Sequence, residues 1–314
     1  MAARHVQALG SDGTRLWWRA AGSGAPAVVL TDGIACAGFV WKRLEPALAR
    51  SWRVIRWNYR GHGRSDPPRD PDRVTVEDHA RDLVAVLDAA GEKRAVLAGH
   101  SMGVQVVLEA HRQAPARVAG LLLVCGSPGR LLDTFHDSTL LARVFPYARA
   151  LVETFPEAAR WAFRHLVPTE LAYQLGSRLE TNHRLVRRED LFPYLDEVAA
   201  MDPRLFARML DAASRHDGEP HLARVDVPTL VVAGERDTWT PFWLSRRMAG
   251  QIPGAELLVL PGGTHVGPLE HPELLALRVE EFLRRHFPAA PGGSRARSRR
   301  PRPPGAGARS PRTA

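Results

Sequence analysis

The stretch AVLAGHSMG, residues 95–103, joins an apolar run to a G-x-S-x-G pattern, and a helical sequence follows it. A serine on a tight turn between a strand and a helix has its hydroxyl pushed out above the sheet. Glycines two residues before and two after it leave room for the strained backbone. The pattern alone occurs by chance in roughly one of ten chains this rich in glycine. Because it lies between a predicted strand and a predicted helix, Ser101 is the candidate nucleophile.

Short apolar runs bounded by Gly, Pro or Asp recur along the chain, with helical patterns between them. This alternation predicts an α/β protein whose sheet is mostly parallel. The turn pair Asp12-Gly13 predicts an antiparallel hairpin near the N-terminus. The prediction is a three-layer α/β/α sandwich with eight strands, at residues 6–9, 14–18, 27–30, 54–57, 95–98, 120–124, 229–233 and 257–260.

Three helices can be placed from their patterns. Thr75 is a candidate N-cap, the acidic residues Glu77 and Asp78 suit the positive end of a helix, and apolar residues recur on one face up to residue 87. The other two are predicted at residues 102–114 and 272–287.

From about residue 128 to 223 the alternation stops, and the pattern is helical throughout. Five prolines in this stretch are interpreted as breaks between helices, at positions 146, 156, 168, 193 and 203. We expect a helical cap inserted into a single domain that spans residues 1–288. Most of the aromatic side chains of the cap should hold its helices together, and a few should face a pocket.

The charge of the chain is concentrated at its C-terminus. The net charge is +9, but the last 27 residues hold seven arginines and no acidic residue, so the rest carries +2. Residues 289–314 are predicted to be a disordered basic tail, because they have too little apolar surface to offset the entropy of ordering. The tail lacks aromatic residues for base stacking, so no specific nucleic-acid partner is expected.

The composition, with 45% hydrophobic and 25% charged residues, is typical of a soluble globular protein rather than of a disordered or membrane chain. No apolar stretch is long enough to cross a bilayer, and the first residues do not form a secretory signal, so a cytoplasmic location without membrane association is expected. The two cysteines, Cys36 and Cys125, are expected to be free thiols. The histidines show no metal-ligand spacing, so no metal is expected.

A serine hydroxyl needs a base, and the base needs a partner that fixes its tautomer. Asp237 follows one predicted strand and His265 follows the next, so with Ser101 they would meet at one edge of a parallel sheet. Asp133 is an alternative acid if Asp237 merely caps a helix. His271 is an alternative base, although it precedes Pro272 at a predicted helix start and is more typical of the surface.

With these residues placed, the chain resembles the α/β-hydrolase superfamily, in its esterase, lactonase and haloperoxidase-like branch. The resemblance covers about residues 5–287. It rests on the pattern at 99–103, the Gly-x-x-Asp at 234–237, Gly-Thr-His at 263–265, Arg-Gly-His-Gly-Arg-Ser at 60–65, and Asp32-Gly33 with Trp41 downstream.

The resemblance implies that the backbone N–H groups of Ile34 and Met102 form an oxyanion hole. The free N–H groups at the start of a helix agree with this role for Met102. Two positions depart from the family pattern, because Asp32 stands where His is usual and Asn58 where Asp is usual. Substrate contacts are expected from Gly33, Trp41, Trp161, Trp239 and Val266.

The expected activity is hydrolysis of a small to medium, largely apolar carboxylic ester or lactone, without a cofactor, by a monomer or homodimer. Carbon–carbon bond hydrolysis and cofactor-free perhydrolysis or haloperoxidation remain open, because the same three residues support them. A small-molecule receptor that kept a hydrolase-like site is the alternative from another class. The unusual Asp32 favours that alternative, since a carboxylate near the oxyanion would oppose catalysis.

Overall fold

The computed structural model describes residues 6–182 and 184–288, so the predicted disordered tail at 289–314 lies outside the described residues. All eight predicted strands join one sheet in the order β1-β2-β4-β3-β5-β6-β7-β8. The strands are β1 (Val6–Leu9), β2 (Arg15–Ala21), β3 (Ala27–Thr31), β4 (Val54–Trp57), β5 (Ala95–His100), β6 (Val118–Val124), β7 (Thr229–Gly234) and β8 (Glu256–Leu260).

The pairing of the strands confirms a mostly parallel sheet. Strand β1 pairs antiparallel with β2, as the hairpin prediction requires, and β2 pairs antiparallel with β4. From β4 through β3, β5, β6 and β7 to β8 every pairing is parallel. The carboxyl ends of these parallel strands therefore share one edge of the sheet, where ligand sites form in such folds.

Helices cover both faces of the sheet. They are α1 (Leu44–Leu48), α2 (Val76–Ala90), α3 (Met102–Gln113), α4 (Leu140–Thr154), α5 (Pro156–Leu166), α6 (Glu170–Glu180), α7 (Arg188–Ala200), α8 (Pro203–Arg215), α9 (Phe242–Gln251), α10 (Gly267–Glu270) and α11 (Pro272–His286). In the described part of the chain, none of them is long and apolar enough to span a membrane.

The side chains of β3 alternate between two hydrophobic cores, which fixes the three layers. Val29 packs in one core with residues of α2, α3 and α9. Val28 and Leu30 pack in the other core with residues of α1 and α11. Because successive side chains of a strand point to opposite faces, a buried strand needs apolar residues at every position.

The predicted start of α2 is confirmed in detail. The hydroxyl of Thr75 accepts the backbone N–H of Asp78, and the Asp78 carboxylate accepts the backbone N–H of Thr75. This reciprocal capping box satisfies two N–H groups that the helix leaves free at its start.

Between β6 and β7 the chain forms the helices α4 to α8, within the stretch expected to be a cap. The prediction that all five prolines break helices is wrong for Pro146 and Pro193, which lie inside α4 and α7. Helix α4 continues through Pro146 because Leu141 before it and Val152 after it both pack on the core. That packing offsets the roughly 3 kcal/mol that an interior proline costs a helix.

Candidate active site

The turn between β5 and α3 holds Ser101 in a strained conformation. Its φ of 55° and ψ of −121° lie in a region that side-chain-bearing residues rarely adopt. A Cβ at Gly99 would collide with the carbonyl oxygen of Gly103, and a Cβ at Gly103 would lie 2.6 Å from the carbonyl oxygen of Thr31. Both positions therefore need glycine for the turn to close.

Ser101, His265 and Asp237 form an unbroken row of hydrogen bonds. The imidazole Nε2 of His265 lies 2.9 Å from the Ser101 Oγ, and its Nδ1 lies 3.0 Å from Oδ2 and 3.1 Å from Oδ1 of Asp237. A proton on Nδ1 can be donated to the carboxylate, which leaves Nε2 free to accept the serine hydroxyl. The structure brings Asp237 rather than Asp133, and His265 rather than His271, into this row.

The carboxylate of Asp237 is fixed by the loop after β7. Oδ1 accepts the backbone N–H groups of Trp239 and Thr240 at 2.9 Å, and Oδ2 accepts the Thr240 hydroxyl at 2.8 Å. Burial acts to raise the pKa of Asp237, but His265 and the hydrogen bonds from Thr240 outweigh it and lower the pKa. The group is therefore ionised and oriented towards His265 at neutral pH.

The loop that carries His265 is held from two sides. The Nε2–H of His100 donates to the carbonyl oxygen of His265 at 2.9 Å, and burial lowers the pKa of His100 to about 3, so this ring stays neutral. The buried carboxylate of Glu270 accepts the backbone N–H of Thr264 at 2.6 Å and its hydroxyl at 2.7 Å. Glu270 also accepts the backbone N–H of Asn182 at 2.8 Å, which ties the loop to the segment after α6.

The loop after β3 is anchored by a buried histidine. The backbone N–H of Ala35, which has a φ of 56°, donates to Nε2 of His62 at 3.0 Å. Nδ1 of His62 donates to the carbonyl oxygen of Arg60 at 2.9 Å, so both ring nitrogens are engaged. Burial lowers the pKa of His62 to about 4, which keeps it an acceptor for Ala35. This anchor fixes the backbone beside Ile34.

Gly33 brings the same loop against the nucleophile. A Cβ at Gly33 would lie only 3.0 Å from the Cβ of Ser101, so the two backbones approach as closely as glycine allows. Ile34 follows Gly33 in the wall of the pocket, and the buried Met102 is the first residue of α3. Both predicted oxyanion-hole residues therefore lie in segments that flank Ser101.

A pocket of about 380 Å³ opens onto Ser101 and His265, and its walls are predominantly apolar. Gly33, Trp239 and Val266, predicted to contact substrate, line it. The other walls come largely from the inserted helices, including Tyr173, Tyr194 and Phe206.

Two of the predicted substrate contacts lie elsewhere. Trp41 is fully buried in the core beneath the pocket, where its ring packs edge-on against His100 with the ring centroids 6.1 Å apart. Trp161 is 58% exposed on α5 and stacks on His165, because its turn of the helix faces solvent rather than the pocket. Among the residues described, no group of His, Cys, Asp and Glu could hold a metal ion.

Comparison with known proteins is consistent with this geometry. The family model for the alpha/beta hydrolase fold matches residues 26–272. This chain belongs to the α/β-hydrolase family. The hydrolase is 30% identical over 272 residues to a protein of Variovorax paradoxus named "Putative carbamate hydrolase RutD", across 85% of this chain and 94% of that one.

Two of the similar solved structures illustrate the shared fold. A thermophilic esterase from Thermogutta terrifontis is 26% identical to the hydrolase, with a TM-score of 0.72 over 90% of this chain and 99% of the esterase. Est816, described as an N-acyl homoserine lactone degrading enzyme, is 26% identical, with a TM-score of 0.67 over 88% of this chain and 100% of that one.

Asp32 is the main departure of this hydrolase from the expected pattern. Its side chain is buried, and among the described residues neither carboxyl oxygen has a well-formed hydrogen bond, because the backbone N–H of Gly38 acts on the carboxylate only weakly. Burial, offset only in part by Arg56, raises its pKa to about 7, and Glu197 and Glu45 add to the rise. A carboxylate that precedes a glycine at a strand end can accept the N–H groups of its own turn, but those of Gly33 and Ile34 form no hydrogen bond with Asp32.

The sequence did not predict two residues that hold the loops of the site by hydrogen bonds, Glu270 and His62. Glu270 belongs to no motif, and the one signal of a role is its position five residues after His265, two residues before the helix predicted at 272–287. His62 lies in the Arg-Gly-His-Gly-Arg-Ser segment, but its bond to Ala35 joins residues 27 positions apart. Contacts of this kind are set by the packing of loops, so local patterns do not predict them.

Proposed function

We propose that the protein is a serine hydrolase that cleaves a small to medium, largely apolar carboxylic ester or lactone. The observation that carries the proposal is the hydrogen-bonded row from Ser101 through His265 to Asp237, at the base of an apolar pocket. Such a row, with the acid oriented and ionised, can activate a serine hydroxyl at neutral pH.

In the proposed reaction His265 Nε2 takes the proton of the Ser101 hydroxyl as the oxygen attacks the ester carbonyl. The backbone N–H groups of Ile34 and Met102 stabilise the oxyanion that forms. The tetrahedral intermediate collapses to an acyl-serine, and the protonated His265 gives its proton to the leaving alcohol. Water, deprotonated by His265, then attacks the acyl carbon and releases the carboxylic acid.

The pocket supports an apolar substrate of limited size. Its volume of about 380 Å³ lies near the lower end of the 300 to 1,000 Å³ that small-molecule sites typically occupy. Aromatic and aliphatic side chains supply most of its surface, so an acyl chain would be desolvated next to Ser101. The esterase and the lactone-degrading enzyme among the similar structures support the same substrate class.

The test is hydrolysis of 4-nitrophenyl esters by the wild type, by three single variants and by one double variant. Ser101→Ala and His265→Ala should each lower kcat by several orders of magnitude, and the double variant by little more, because the two residues act as a unit. Asp237→Asn should cost on the order of 10⁴-fold, by analogy with the serine-protease triad.

A fluorophosphonate probe locates the nucleophile independently of the substrate chosen. It should label Ser101 in the wild type and label the His265→Ala variant only weakly. Labelling at another serine would contradict the mechanism. A wild type that binds esters without cleaving them, and is not labelled, would favour the receptor alternative.

Carbamate hydrolysis is a second candidate, which the similarity to the protein named as a carbamate hydrolase favours. The same serine attack on a carbamate carbonyl would form a carbamoyl-serine. Matched 4-nitrophenyl esters and N-alkyl carbamates distinguish the two. A kcat/KM for the carbamate that exceeds that for the ester would shift the proposal to carbamates.

A further inference from the structure

A second and larger cleft, of about 810 Å³, lies beside the apolar pocket. We call it the arginine cleft, because Arg178, Arg184 and Arg236 line it together with His136, Asp137 and Glu235. Thr181 lines both cavities, so the arginine cleft and the pocket adjoin.

The cleft is close to the reacting atoms. Asp237 forms part of its wall, and only the imidazole of His265 separates this residue from Ser101. A substrate whose carbonyl lies at Ser101, and which extends past Thr181, would place another group in the cleft. The two cavities differ in character, since one is predominantly apolar and the other is lined largely by charged and polar residues.

The three guanidinium groups are available to a ligand. In the described segments 6–182 and 184–288, none of the three forms a side-chain hydrogen bond or an ion pair. Three carboxylates line the cleft, and each already accepts hydrogen bonds, Asp237 from His265 and from the hydroxyl of Thr240. Asp137 accepts the indole N–H of Trp243 at 2.8 Å, and Glu235 accepts the backbone N–H of Gly262 at 2.7 Å.

Most of the other arginines between residues 6 and 288 form an ion pair with a carboxylate, so three unpaired guanidinium groups in one cleft are a notable cluster. Arg149 and Arg160, on the neighbouring helices α4 and α5, each contact two carboxylates. Three unpaired guanidinium groups around one concave surface form a site for an anion, because each presents a planar fork that matches carboxylate or phosphate oxygens.

We propose that the arginine cleft is an anion-binding extension of the ester site. The substrates would then be esters or lactones with an apolar part at Ser101 and a carboxylate or phosphate that reaches past Thr181 to the arginines. This inference rests on the proposed function, and it narrows the substrate from any apolar ester to an anionic one.

The test compares neutral and anionic esters of matched length. The neutral reference is 4-nitrophenyl hexanoate. The anionic esters are mono-4-nitrophenyl adipate, 4-nitrophenyl 6-phosphonooxyhexanoate and 4-carboxyphenyl hexanoate, which place a carboxylate or phosphate on the acyl side and a carboxylate on the leaving side. The measured quantity is the ratio of kcat/KM for each anionic ester to that for the neutral ester.

We expect at least one ratio to be about 10 or more in the wild type at low salt, which corresponds to about 1.4 kcal/mol. Replacing Arg178, Arg184 and Arg236 by Gln together should bring that ratio to about 1, mainly through KM. Because the three arginines form no ion pairs, the variant should fold. Arg284→Gln on α11 is the matched control, since it removes an exposed, paired arginine outside the cleft and should leave the ratio unchanged.

Two outcomes would overturn the inference, and both are distinct from failure of the proposed function. Ratios near 1 for every anionic ester in the wild type would show that the cleft does not bind the substrate. A preference that survives the triple substitution would place the anion elsewhere. If the wild type cleaves the neutral ester no faster than Ser101→Ala does, the ester mechanism itself fails.

Discussion

Replacing Asp32 by Asn should remove a pH dependence of stability. The pKa of this buried carboxyl is raised from 3.8 to about 7 in the folded state. The folded protein then holds a proton that the unfolded chain releases, so its stability falls as pH rises from about 4 through about 7. Between pH 5 and pH 8 the loss amounts to between about 2 and 3 kcal/mol, taken from these two pKa values at 1.36 kcal/mol per pKa unit.

Urea unfolding of the wild type and Asp32→Asn at pH 5 and pH 8 measures this difference. The variant should gain between about 2 and 3 kcal/mol relative to the wild type on going from pH 5 to pH 8, whatever the cost of its own buried amide. Asp72→Asn, at a side chain that is 88% exposed, is the control and should show no such gain. The same relative stability of Asp32→Asn at both pH values would refute the idea that Asp32 is protonated near neutrality. Ester turnover by Asp32→Asn should remain close to that of the wild type.

Three further predictions concern the site and its supports. Gly103→Ala should lower Tm by several degrees, because its methyl group would lie 2.6 Å from the carbonyl oxygen of Thr31. The control is Gly250→Ala on α9, whose methyl group would meet nothing within 4 Å and which should raise Tm slightly. Glu270→Gln keeps the shape of the side chain but removes the negative charge that binds Thr264, so kcat should fall by about 10-fold. An unchanged kcat in a fully folded variant would contradict a role of Glu270 in placing His265. Phe206→Ala should shift the substrate preference towards esters with longer acyl chains, by about 10-fold in kcat/KM relative to shorter ones. If the folded variant lost turnover on all esters, that would contradict a role of Phe206 confined to the pocket wall.

The strands and the row of three site residues could be predicted because their signals are local. Most strands are short apolar runs bounded by turn residues. Ser101 follows β5 directly, and Asp237 and His265 lie in the loops just after β7 and β8. The parallel pairing then brings three distant positions to one edge. The capping box of α2 was predictable for the same reason, since it involves residues only three positions apart.

The sequence predictions fail where tertiary packing decides how a helix or a side chain is placed. Pro146 lies inside a helix because residues on both sides of it pack on the core. Trp161 faces solvent because the orientation of α5 about its axis is set by its neighbours, which periodicity alone does not give. The environment of Asp32 depends on which donors surround it, and the charges that act on its pKa most strongly, on Arg56 and Glu197, come from distant parts of the chain.

Because α4 to α8 are inserted between β6 and β7, the three site residues and the pocket wall come from different parts of the chain. Ser101, Asp237 and His265 lie in the turns that follow β5, β7 and β8, and the position of each depends on a turn that tolerates little change in sequence. Much of the pocket wall comes from this one continuous insertion, which reaches the turn of His265 through the hydrogen bond from the backbone N–H of Asn182 to Glu270. Exchanging α4 to α8 between this protein and relatives with different names, from carbamate hydrolase to esterase, should therefore change the substrate preference. The bond-breaking step should stay the same.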